Sequence, residues 1–435
     1  MIDDKTKAKI KKLAEDFLKE EKPSNDRVPV SGKVFDRDEL TNLIEASLEG
    51  WWTEGPWTAR FEQGLKDFLG VKYVHACNSG SSANLLAFAT LCSESLGSRR
   101  IKPGDEVITL ACGFPTTVNP IIQNGCLPVF IDIEASTYNV EINHLEKALS
   151  PKTKAVMMAH TLGNPFNLKA VTNFCRKHKL WLIEDNCDAL GSKYEGKFTG
   201  TFGDIATLSF YPAHHITTAE GGAVITNNSE LSKIAVSIRD WGRHCWCPTG
   251  KDNTCKNRFN WKLGQLPEGY DHKYIYGELG YNLKMSDLHA AIGVAQLKKL
   301  DRFIKIRKEN FGLLTDRLKK FEKYLILPQA TINSEPCWFG YPITLKPEVD
   351  RQAFLKYLDE KGVGTRLLFA GNLLRQPYFE RFSEGKDYRV ATELKNTDMV
   401  MNRTFWLGLS PLTTKEMIEK INQVFQVYFE KRRDD

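Results

Sequence analysis

Six short apolar runs, separated by helical patterns, constrain the fold of this chain more than any other feature of its sequence. The runs cover residues 107–111, 128–133, 155–160, 180–184, 205–210 and 223–226. Helical periodicity lies between several of them, over residues 83–92, 117–124, 141–149 and 169–178. Near-continuous apolar strands that alternate with helices are typical of a mostly parallel sheet covered by helices on both faces. The sequence therefore predicts an α/β fold, with ligands bound beyond the carboxyl ends of the strands.

The rest of the chain divides around this predicted sheet into three parts. Residues 1–35 are expected to form an N-terminal helix and connector, 36–300 a large domain, and 301–435 a smaller C-terminal α+β domain. Residues 239–283 form a Cys-rich insert in the large domain, with little periodicity. Because a loop of this length inside a compact domain is usually functional or disordered, the cysteines of the insert favour a functional role.

Charge and hydropathy exclude several classes of protein. The net charge is +6, the charges are interspersed, and the sequence contains no basic block of the kind that binds nucleic acid. No apolar run approaches the roughly 20 residues of a membrane-spanning helix. The N-terminal residues are too highly charged for a signal peptide. We therefore predict a cytoplasmic protein that binds neither nucleic acid nor membrane.

Two polar stretches beside the predicted strands can hold a phosphorylated aromatic ligand. Gly80 and Ser81 precede a helical pattern, where backbone N–H groups and hydroxyls make a natural seat for phosphate. An ordinary helix N-cap explains this pattern as well. Asp185 ends an apolar strand, where a carboxylate is costly unless it has a partner. In enzymes that use pyridoxal phosphate (PLP), such an aspartate keeps the pyridine nitrogen protonated, although an ordinary strand-end acid is the alternative here.

The order and spacing of these stretches resemble the DegT/DnrJ/EryC1/StrS family of PLP-binding sugar aminotransferases. The stretches that carry the resemblance are Asn78–Asn84, Trp181–Asp188 and Ser209–Gly222. The resemblance covers the chain from about residue 30 and implies the aspartate-aminotransferase (type I) fold. It also implies that Phe114 stacks on the cofactor ring and that Ser209 binds the phosphate. Asn282 matches an asparagine that reaches the phosphate of a neighbouring subunit, which implies a homodimer.

His214 departs from the pattern of this family. Where the family has Ser-Phe-x-x-x-Lys, this chain has Ser209 followed by His214 in place of the lysine that binds the cofactor covalently. The cofactor is therefore expected as pyridoxamine phosphate (PMP), held non-covalently. An imidazole titrates near neutral pH, so His214 is the predicted general base. Asp188 and Tyr211 match positions close to His214, where they either adjust the basicity of His214 or complete a polar network. The neighbouring His215 is the less favoured candidate for the base.

Four cysteines form a second candidate site. Cys245, Cys247 and Cys255 lie on the insert, and Cys187 follows the strand that ends at Asp185. Four thiolates suit a [2Fe–2S] cluster or a tetrahedral zinc ion, and their spacing does not distinguish the two; unliganded thiols are a third possibility. The closeness of Cys187 to Asp185 favours a redox cluster.

His214 and the four cysteines together narrow the resemblance to one branch of the family. This branch comprises the PMP-dependent, [2Fe–2S]-containing CDP-4-keto-6-deoxy-D-glucose 3-dehydrases (CDP-6-deoxy-L-threo-D-glycero-4-hexulose 3-dehydrases) of 3,6-dideoxyhexose and lipopolysaccharide O-antigen biosynthesis. Further matching motifs cover residues 113–119, 159–164, 184–191, 270–274, 366–372 and 375–378. The resemblance implies that PMP forms a Schiff base with the C-4 ketone of a nucleotide sugar and that the C-3 hydroxyl then leaves. The cluster would pass on two electrons from a separate NADH-dependent flavin iron–sulfur reductase.

Three other functions remain open from the sequence. A cluster-independent dehydratase of the GDP-4-keto-6-deoxymannose type also has histidine in place of lysine, but the four cysteines argue against it. His214 argues against an ordinary PLP sugar aminotransferase, and a zinc-stabilised scaffold without catalysis is the third alternative. Only the resemblance specifies CDP, and Arg366, Asn372 and Arg375 are either substrate contacts or surface salt bridges.

Overall fold

A computed structural model of the chain describes residues 3–20, 27–32 and 34–430, so part of the predicted N-terminal connector lies outside the described residues. Thirteen α-helices form within these ranges: α1 (Asp4–Glu20), α2 (Arg37–Glu49), α3 (Pro56–Leu69), α4 (Gly80–Cys92), α5 (Pro115–Gln123), α6 (Leu145–Ala148), α7 (Leu168–His178), α8 (Ser229–Arg239), α9 (Asp287–Leu297), α10 (Leu300–Leu318), α11 (Arg351–Glu360), α12 (Lys395–Arg403) and α13 (Lys415–Glu430). Fifteen strands form in the same part of the chain: β1 (Tyr73–Cys77), β2 (Glu106–Leu110), β3 (Leu127–Ile131), β4 (Thr153–Ala159), β5 (Trp181–Asp185), β6 (Lys193–Tyr194), β7 (Lys197–Phe198), β8 (Ile205–Ser209), β9 (Gly222–Thr226), β10 (Leu325–Ile326), β11 (Ser334–Glu335), β12 (Gly340–Leu345), β13 (Thr365–Leu367), β14 (Arg389–Val390) and β15 (Thr404–Gly408).

An eight-stranded sheet forms the centre of the molecule, in the order β1-β9-β8-β5-β4-β2-β3-β14. The strands from β8 to β14 pair in parallel, whereas β9 is antiparallel to both of its neighbours. Strands β2, β5, β8 and β9 are buried along their whole length, because helices cover both faces of the sheet. The predicted mostly parallel sheet is confirmed.

The apolar runs locate the six predicted strands to within a few residues, but they miss β1 and β14. In β1, Tyr73 and His75 interrupt the apolar residues, and the His75 ring Nε2 lies 2.8 Å from the hydroxyl of Ser232. Strand β14 has only two residues and joins the sheet beside β3. Neither short nor interrupted strands produce the continuous apolar run that marks a buried parallel strand.

A second, four-stranded antiparallel sheet forms in the C-terminal part of the chain, in the order β10-β12-β15-β13. Aromatic side chains of α11 and α13 pack on it, and the rings of Phe354 and Phe425 lie 5.1 Å apart, edge to face. Helices α9 and α10 precede this sheet in the chain and are separated by two residues. Strand β14 belongs to the C-terminal part of the chain but pairs with β3 of the large sheet. The boundary predicted between residues 300 and 301 stays a prediction.

The chain places four polar segments at one edge of the large sheet. Strands β5 and β8 are parallel and end at Asp185 and Ser209, so both residues lie at the carboxyl edge. Strands β1 and β2 run in the same direction and lead into α4 and α5, whose first residues are Gly80 and Pro115. Ligands of such sheets bind at this edge. In the described ranges, no helix is long and apolar enough to cross a bilayer.

The insert is irregular, as the sequence predicts. Among the described residues, none between α8 and α9 belongs to an α-helix or to one of the fifteen strands. The two ends of the insert pair with each other through isolated bridges, Asp240 with Asn282 and Arg243 with Tyr276. The insert therefore leaves the body and returns to it at one place, beside the end of α8.

Candidate active site

A cavity of about 760 Å³ lies at the carboxyl edge of the large sheet. Most of the residues predicted from the sequence line it. These are Gly80, Ser81, Phe114, Asp185, Cys187, Asp188, Ser209, Tyr211 and His214. Asn282, Cys245, Cys247 and Cys255 do not line it. The structure thus brings the predicted catalytic and ring-binding residues together, and it leaves apart those that the sequence assigns to a partner subunit or to the insert.

The N-terminus of α4 forms one end of the cavity. Ser79 caps the helix, because its hydroxyl accepts a hydrogen bond of 3.0 Å from the backbone N–H of Ser82. A Cβ at Gly80 would lie 2.4 Å from Ser209 Cβ and 3.2 Å from Cys187 Sγ, so only glycine fits there. Free N–H groups, the positive end of the helix dipole and the hydroxyls of Ser81 and Ser209 together suit a phosphate.

Asp185 lies deeper in the cavity and is 4% exposed. Its Oδ2 accepts hydrogen bonds from Asn84 Nδ2 at 2.8 Å and from the Thr117 hydroxyl at 2.7 Å. Its Oδ1 accepts one from the backbone N–H of Cys187 at 3.2 Å. A buried carboxylate held by several donors is an oriented anion, suited to pair with a protonated ring nitrogen.

The sequence analysis did not assign a role to the three residues whose side chains donate to Asp185, which are Asn84, Thr117 and Thr207. Asn84 lies one helical turn after Gly80, within the motif that predicts the phosphate seat, so helical spacing could have identified it. Thr117 and Thr207 come from α5 and β8, and Thr207 donates to Asn84 Oδ1 at 2.7 Å. No local signal marks these two threonines, because only the folded sheet brings them to Asp185.

Phe114 forms one wall of the cavity. It is the N-cap residue of α5, and its side chain is 49% exposed although it is large and apolar. Its ring packs edge to face on Phe369, with ring centroids 5.8 Å apart. One face of Phe114 is therefore available to a planar ligand, and its stacking on a cofactor ring stays a prediction.

His214 and Asp188 form a close, partly buried pair. His214 Nδ1 lies 3.4 Å from Asp188 Oδ1, a contact that is longer than a good hydrogen bond. Burial, followed by the charge of Arg307, lowers the pKa of His214 to about 4. Burial and the charge of Asp185 raise the pKa of Asp188 to about 8. At neutral pH His214 is therefore an uncharged imidazole, which is the form that accepts a proton.

Of the two other candidate residues near His214, Tyr211 faces the cavity and His215 does not. Tyr211 lines the cavity and is 53% exposed, so its hydroxyl can meet a ligand. His215 is 2% exposed and does not line the cavity; its Nε2 lies 2.8 Å from the carbonyl oxygen of Cys337. This geometry favours His214 over His215 as the base.

Of the three candidate substrate contacts in the C-terminal part, only Arg366 lines the cavity. Asn372 and Arg375 both bind Asp398, at 2.7 and 3.1 Å, so they form a structural network instead. The Arg366 guanidinium donates to the carbonyl oxygen of Thr365 at 2.9 Å. Its remaining N–H groups make Arg366 a candidate contact for an anionic substrate group.

The four predicted metal ligands lie in two places. Cys187 faces the cavity, whereas Cys245, Cys247 and Cys255 line a separate small pocket in the insert together with His272. Cys255 Sγ lies 3.8 Å from His272 Nδ1. In the part of the chain that the structure describes, no group of three or more His, Cys, Asp or Glu side chains has the geometry of a metal site. The four thiols thus do not converge within one chain, and the metal site stays a prediction.

The thiols differ in their electrostatic surroundings. Burial and the neighbouring carboxylate of Asp185 raise the pKa of Cys187 well above its usual value. Burial also raises the pKa of Cys245. The pKa of Cys247 falls to about 7, because hydrogen bonds from Thr254 and Cys255 outweigh the effect of burial. The insert thus stabilises a thiolate, the form of cysteine that binds metals.

The mostly parallel sheet covered by helices is the fold of PLP-dependent aminotransferases, as in solved structures that this chain resembles. Residues 34–426 match the DegT/DnrJ/EryC1/StrS aminotransferase family, and the chain belongs to that family. It is 55% identical over 404 residues to the lipopolysaccharide biosynthesis protein RfbH of Salmonella typhimurium, covering 92% of each chain.

Two further relatives have names that describe dehydratases. The chain is 49% identical over 393 residues to a dTDP-4-dehydro-2,6-dideoxy-D-glucose 3-dehydratase of Saccharopolyspora spinosa, covering 90% of this chain and 84% of the relative. A solved E. coli GDP-4-keto-6-deoxy-D-mannose-3-dehydratase with bound hydrated PLP aligns with a TM-score of 0.82 at 29% identity. The alignment covers 91% of this chain and 98% of that one.

Proposed function

We propose that this protein is a PMP-dependent dehydrase that removes the C-3 hydroxyl from a nucleotide-linked 4-keto-6-deoxyhexose. The observation that carries the proposal is His214, which lines the cavity at the sequence position where aminotransferases of this family have lysine. Among the described lining residues there is no lysine, so no amine can bind the cofactor covalently. The dehydratase relatives support the same reaction class.

The cavity residues fit PMP. Gly80, Ser81 and Ser209 would hold its phosphate, in a cradle that a single added Cβ would fill. Asp185 would bind the ring nitrogen, and the exposed face of Phe114 would cover the ring. When bound, PMP supplies an amine that condenses with ketones and a ring that takes up electrons.

His214 would move the proton that dehydration requires. Its Nδ1 faces Asp188, so Nε2 is the ring nitrogen that is left to accept a proton in the cavity. Asp188 orients the ring and, once ionised, stabilises the imidazolium that forms. Tyr211 lines the same space and can donate a hydrogen bond to the leaving hydroxyl.

The reductive part of the proposal rests on the cysteines. Replacing a C-3 hydroxyl by hydrogen consumes two electrons and two protons and releases water. Cys187, Cys245, Cys247 and Cys255 are the thiols that would hold a [2Fe–2S] cluster, which would supply one-electron transfer, and an NADH-dependent flavin iron–sulfur reductase would be the source of the electrons. The match to RfbH, a lipopolysaccharide biosynthesis protein, supports a place in O-antigen synthesis.

The remaining features of the proposal come from the sequence. The resemblance implies CDP as the nucleotide and a homodimer in which Asn282 reaches the partner's phosphate. The cytoplasmic location and the division into the parts 1–35, 36–300 and 301–435 follow from charge, hydropathy and periodicity. Arg366 supplies a cation for the diphosphate of any nucleotide. The relatives carry names with dTDP and GDP sugars, so a competition series with CDP, dTDP and GDP 4-keto sugars tests the choice of CDP.

A cluster-independent 3-dehydratase is the second candidate. The separation of Cys187 from the three thiols of the insert favours it. The chain is also 31% identical over 401 residues to a GDP-4-keto-6-deoxy-D-mannose 3-dehydratase of Yersinia pseudotuberculosis. The two candidates share His214 and PMP and differ only in the cluster.

An anaerobic visible spectrum, recorded before and after dithionite on protein purified without added metal, distinguishes the two. We expect a brown protein with iron and acid-labile sulfide whose colour bleaches on reduction. A colourless protein that still binds PMP would contradict the cluster and leave the second candidate. A protein that binds neither iron nor PMP would contradict both.

A further inference from the structure

A buried arginine, Arg307, contacts the backbone of the proposed base. It lies on α10 and is 1% exposed. Burial lowers the pKa of Arg307 to about 10, so the guanidinium is still charged at neutral pH. In the described part of the chain, all of its hydrogen-bond acceptors are uncharged backbone carbonyl oxygens, and its Nε has no partner. A buried charge without a carboxylate partner is costly to fold, so packing alone does not account for Arg307.

The guanidinium of Arg307 connects the base to the four-stranded sheet. Its Nη2 donates a hydrogen bond to the carbonyl oxygen of His214 at 3.2 Å. Its Nη1 donates to the carbonyl oxygen of Phe339 at 3.1 Å and to that of Leu409. Phe339 comes directly before β12 and Leu409 directly after β15, and these two strands pair with each other. One side chain thus ties the backbone of His214 to two adjacent strands of the other sheet.

The imidazole of His214 also packs on the segment that Arg307 holds. The rings of His214 and Phe339 lie 5.1 Å apart, and both residues line the cavity. Arg307 itself does not line the cavity, so a ligand bound there does not touch it. Any effect of Arg307 on the reaction therefore passes through His214 and the wall against which its ring packs.

The charge of Arg307 acts on the pair of His214 and Asp188. The ionisable groups that face His214 are Asp188, Asp185, His215 and Arg307. Burial is the first cause of the lowered pKa of His214, and the charge of Arg307 is the second. The same charge lowers the pKa of Asp188, against the effects of burial and Asp185. Arg307 therefore favours a proton-free imidazole and an ionised Asp188, the states that accept a proton and balance its charge.

We propose that Arg307 is a positioning residue for His214, which fixes the backbone of the base against the four-stranded sheet and places a buried positive charge beside it. This inference rests on the proposed function, because it takes His214 as the base. The effect of Arg307 on the His214 ring can be measured without turnover, so the inference and the proposed function can fail separately.

Arg307→Met tests the inference, because methionine removes the charge and the donors and keeps an unbranched chain. NMR of histidine-labelled protein follows the titration of each ring, and the His214 signal is the one missing from His214→Asn. We expect the titration midpoint of His214 to rise by about 1 pH unit when the nearby charge is lost. We expect kcat to fall about 10- to 100-fold because the base is displaced. KM and PMP affinity should change little, since Arg307 does not line the cavity.

Arg351→Met is the matched control. The guanidinium of Arg351 also donates to backbone carbonyl oxygens, those of Met401 and Thr404, but these lie at the start of β15, whereas Leu409 follows its end. Arg351 does not line the cavity. We expect this variant to lose stability with no change in the His214 midpoint or in kcat.

Arg307→Lys keeps the charge and decides the question if Arg307→Met does not fold. We expect the His214 midpoint of the lysine variant to match the wild type and its kcat to lie between those of wild type and Arg307→Met. A raised midpoint in Arg307→Lys would overturn the inference, as would a wild-type midpoint or a wild-type kcat in Arg307→Met. Wild-type turnover in His214→Asn would instead refute the proposed function, and it would leave the titrations of the Arg307 variants unaffected.

Discussion

At the scale of single residues, the cavity concentrates ionisable groups whose pKa values burial moves in opposite directions. The pKa of His214 falls to about 4 and that of Asp188 rises to about 8. At neutral pH this pair therefore begins uncharged, and a proton taken up by the imidazole creates the charge that Asp188 can balance once ionised. Pairs of this kind are frequent at sites that transfer protons.

His214→Asn is the first test at this scale. Asparagine keeps a polar side chain of similar size but cannot act as a base near neutral pH, so we expect kcat to fall by about 10²–10⁴-fold. PMP affinity, followed by absorbance, should change little, because the cradle and Asp185 are untouched. Turnover close to the wild type would contradict the role of His214.

The pH dependence of kcat/KM tests Asp188. Because the pKa of Asp188 is raised to about 8, its carboxyl is protonated at neutral pH and loses its proton as the pH rises. We expect kcat/KM to increase through about pH 8, where the carboxylate becomes available to stabilise the imidazolium. In Asp188→Asn this rise should disappear; an unchanged rise in the variant would assign it to another group.

At the scale of the elements, the sequence locates the strands and helices that carry the site because their apolar runs are long and continuous. Asp185 and Ser209 were predicted at strand ends, and both line the cavity. The antiparallel direction of β9 and the short strand β14 could not be predicted, because pairing depends on residues distant in sequence. The separation of Cys187 from the three insert thiols could not be predicted either, because the number of residues between two cysteines does not fix where their side chains lie in the folded chain.

The close packing of the start of α4 against the end of β8 can be tested by a substitution at Gly80. Gly80→Ala would place a Cβ 2.4 Å from Ser209 Cβ, so we expect the two elements to separate at a cost of about 1–3 kcal/mol. The thermal midpoint should fall, and PMP affinity should fall with it because the phosphate cradle widens. Calorimetry and a cofactor titration measure the two effects.

Gly312→Ala is the matched control for this substitution. Gly312 lies in α10, and a Cβ there would meet no atom within 4 Å. Because alanine favours helices over glycine, we expect a stability gain of up to about 1 kcal/mol and unchanged PMP affinity. If Gly80→Ala and Gly312→Ala had the same thermal midpoint and the same PMP affinity, the close contact between Gly80 and Ser209 would contribute neither to stability nor to cofactor binding.

At the scale of the whole molecule, the fold places one cavity between the two sheets and holds the Cys-rich insert outside it. Side chains of both parts line the cavity, with Asp185 from the large sheet and Arg366 and Trp406 from the small one. Substrate bound there would contact both parts, so the C-terminal part contributes to recognition as well as to stability. The resemblance in sequence predicts this family and its cofactor residues. Only the folded chain shows that Arg366 lines the cavity and that Arg375 does not.

The most direct test of the central claim is the product of a single turnover. PMP-loaded protein is mixed anaerobically with CDP-4-keto-6-deoxy-D-glucose and an electron donor, and the sugar is analysed by mass spectrometry. We predict a 3-deoxy sugar that has lost one oxygen atom and keeps its C-4 ketone, while PMP remains in the cavity. A 4-amino sugar that retains its C-3 hydroxyl, formed as PMP becomes PLP, would show an aminotransferase and contradict the role assigned to His214.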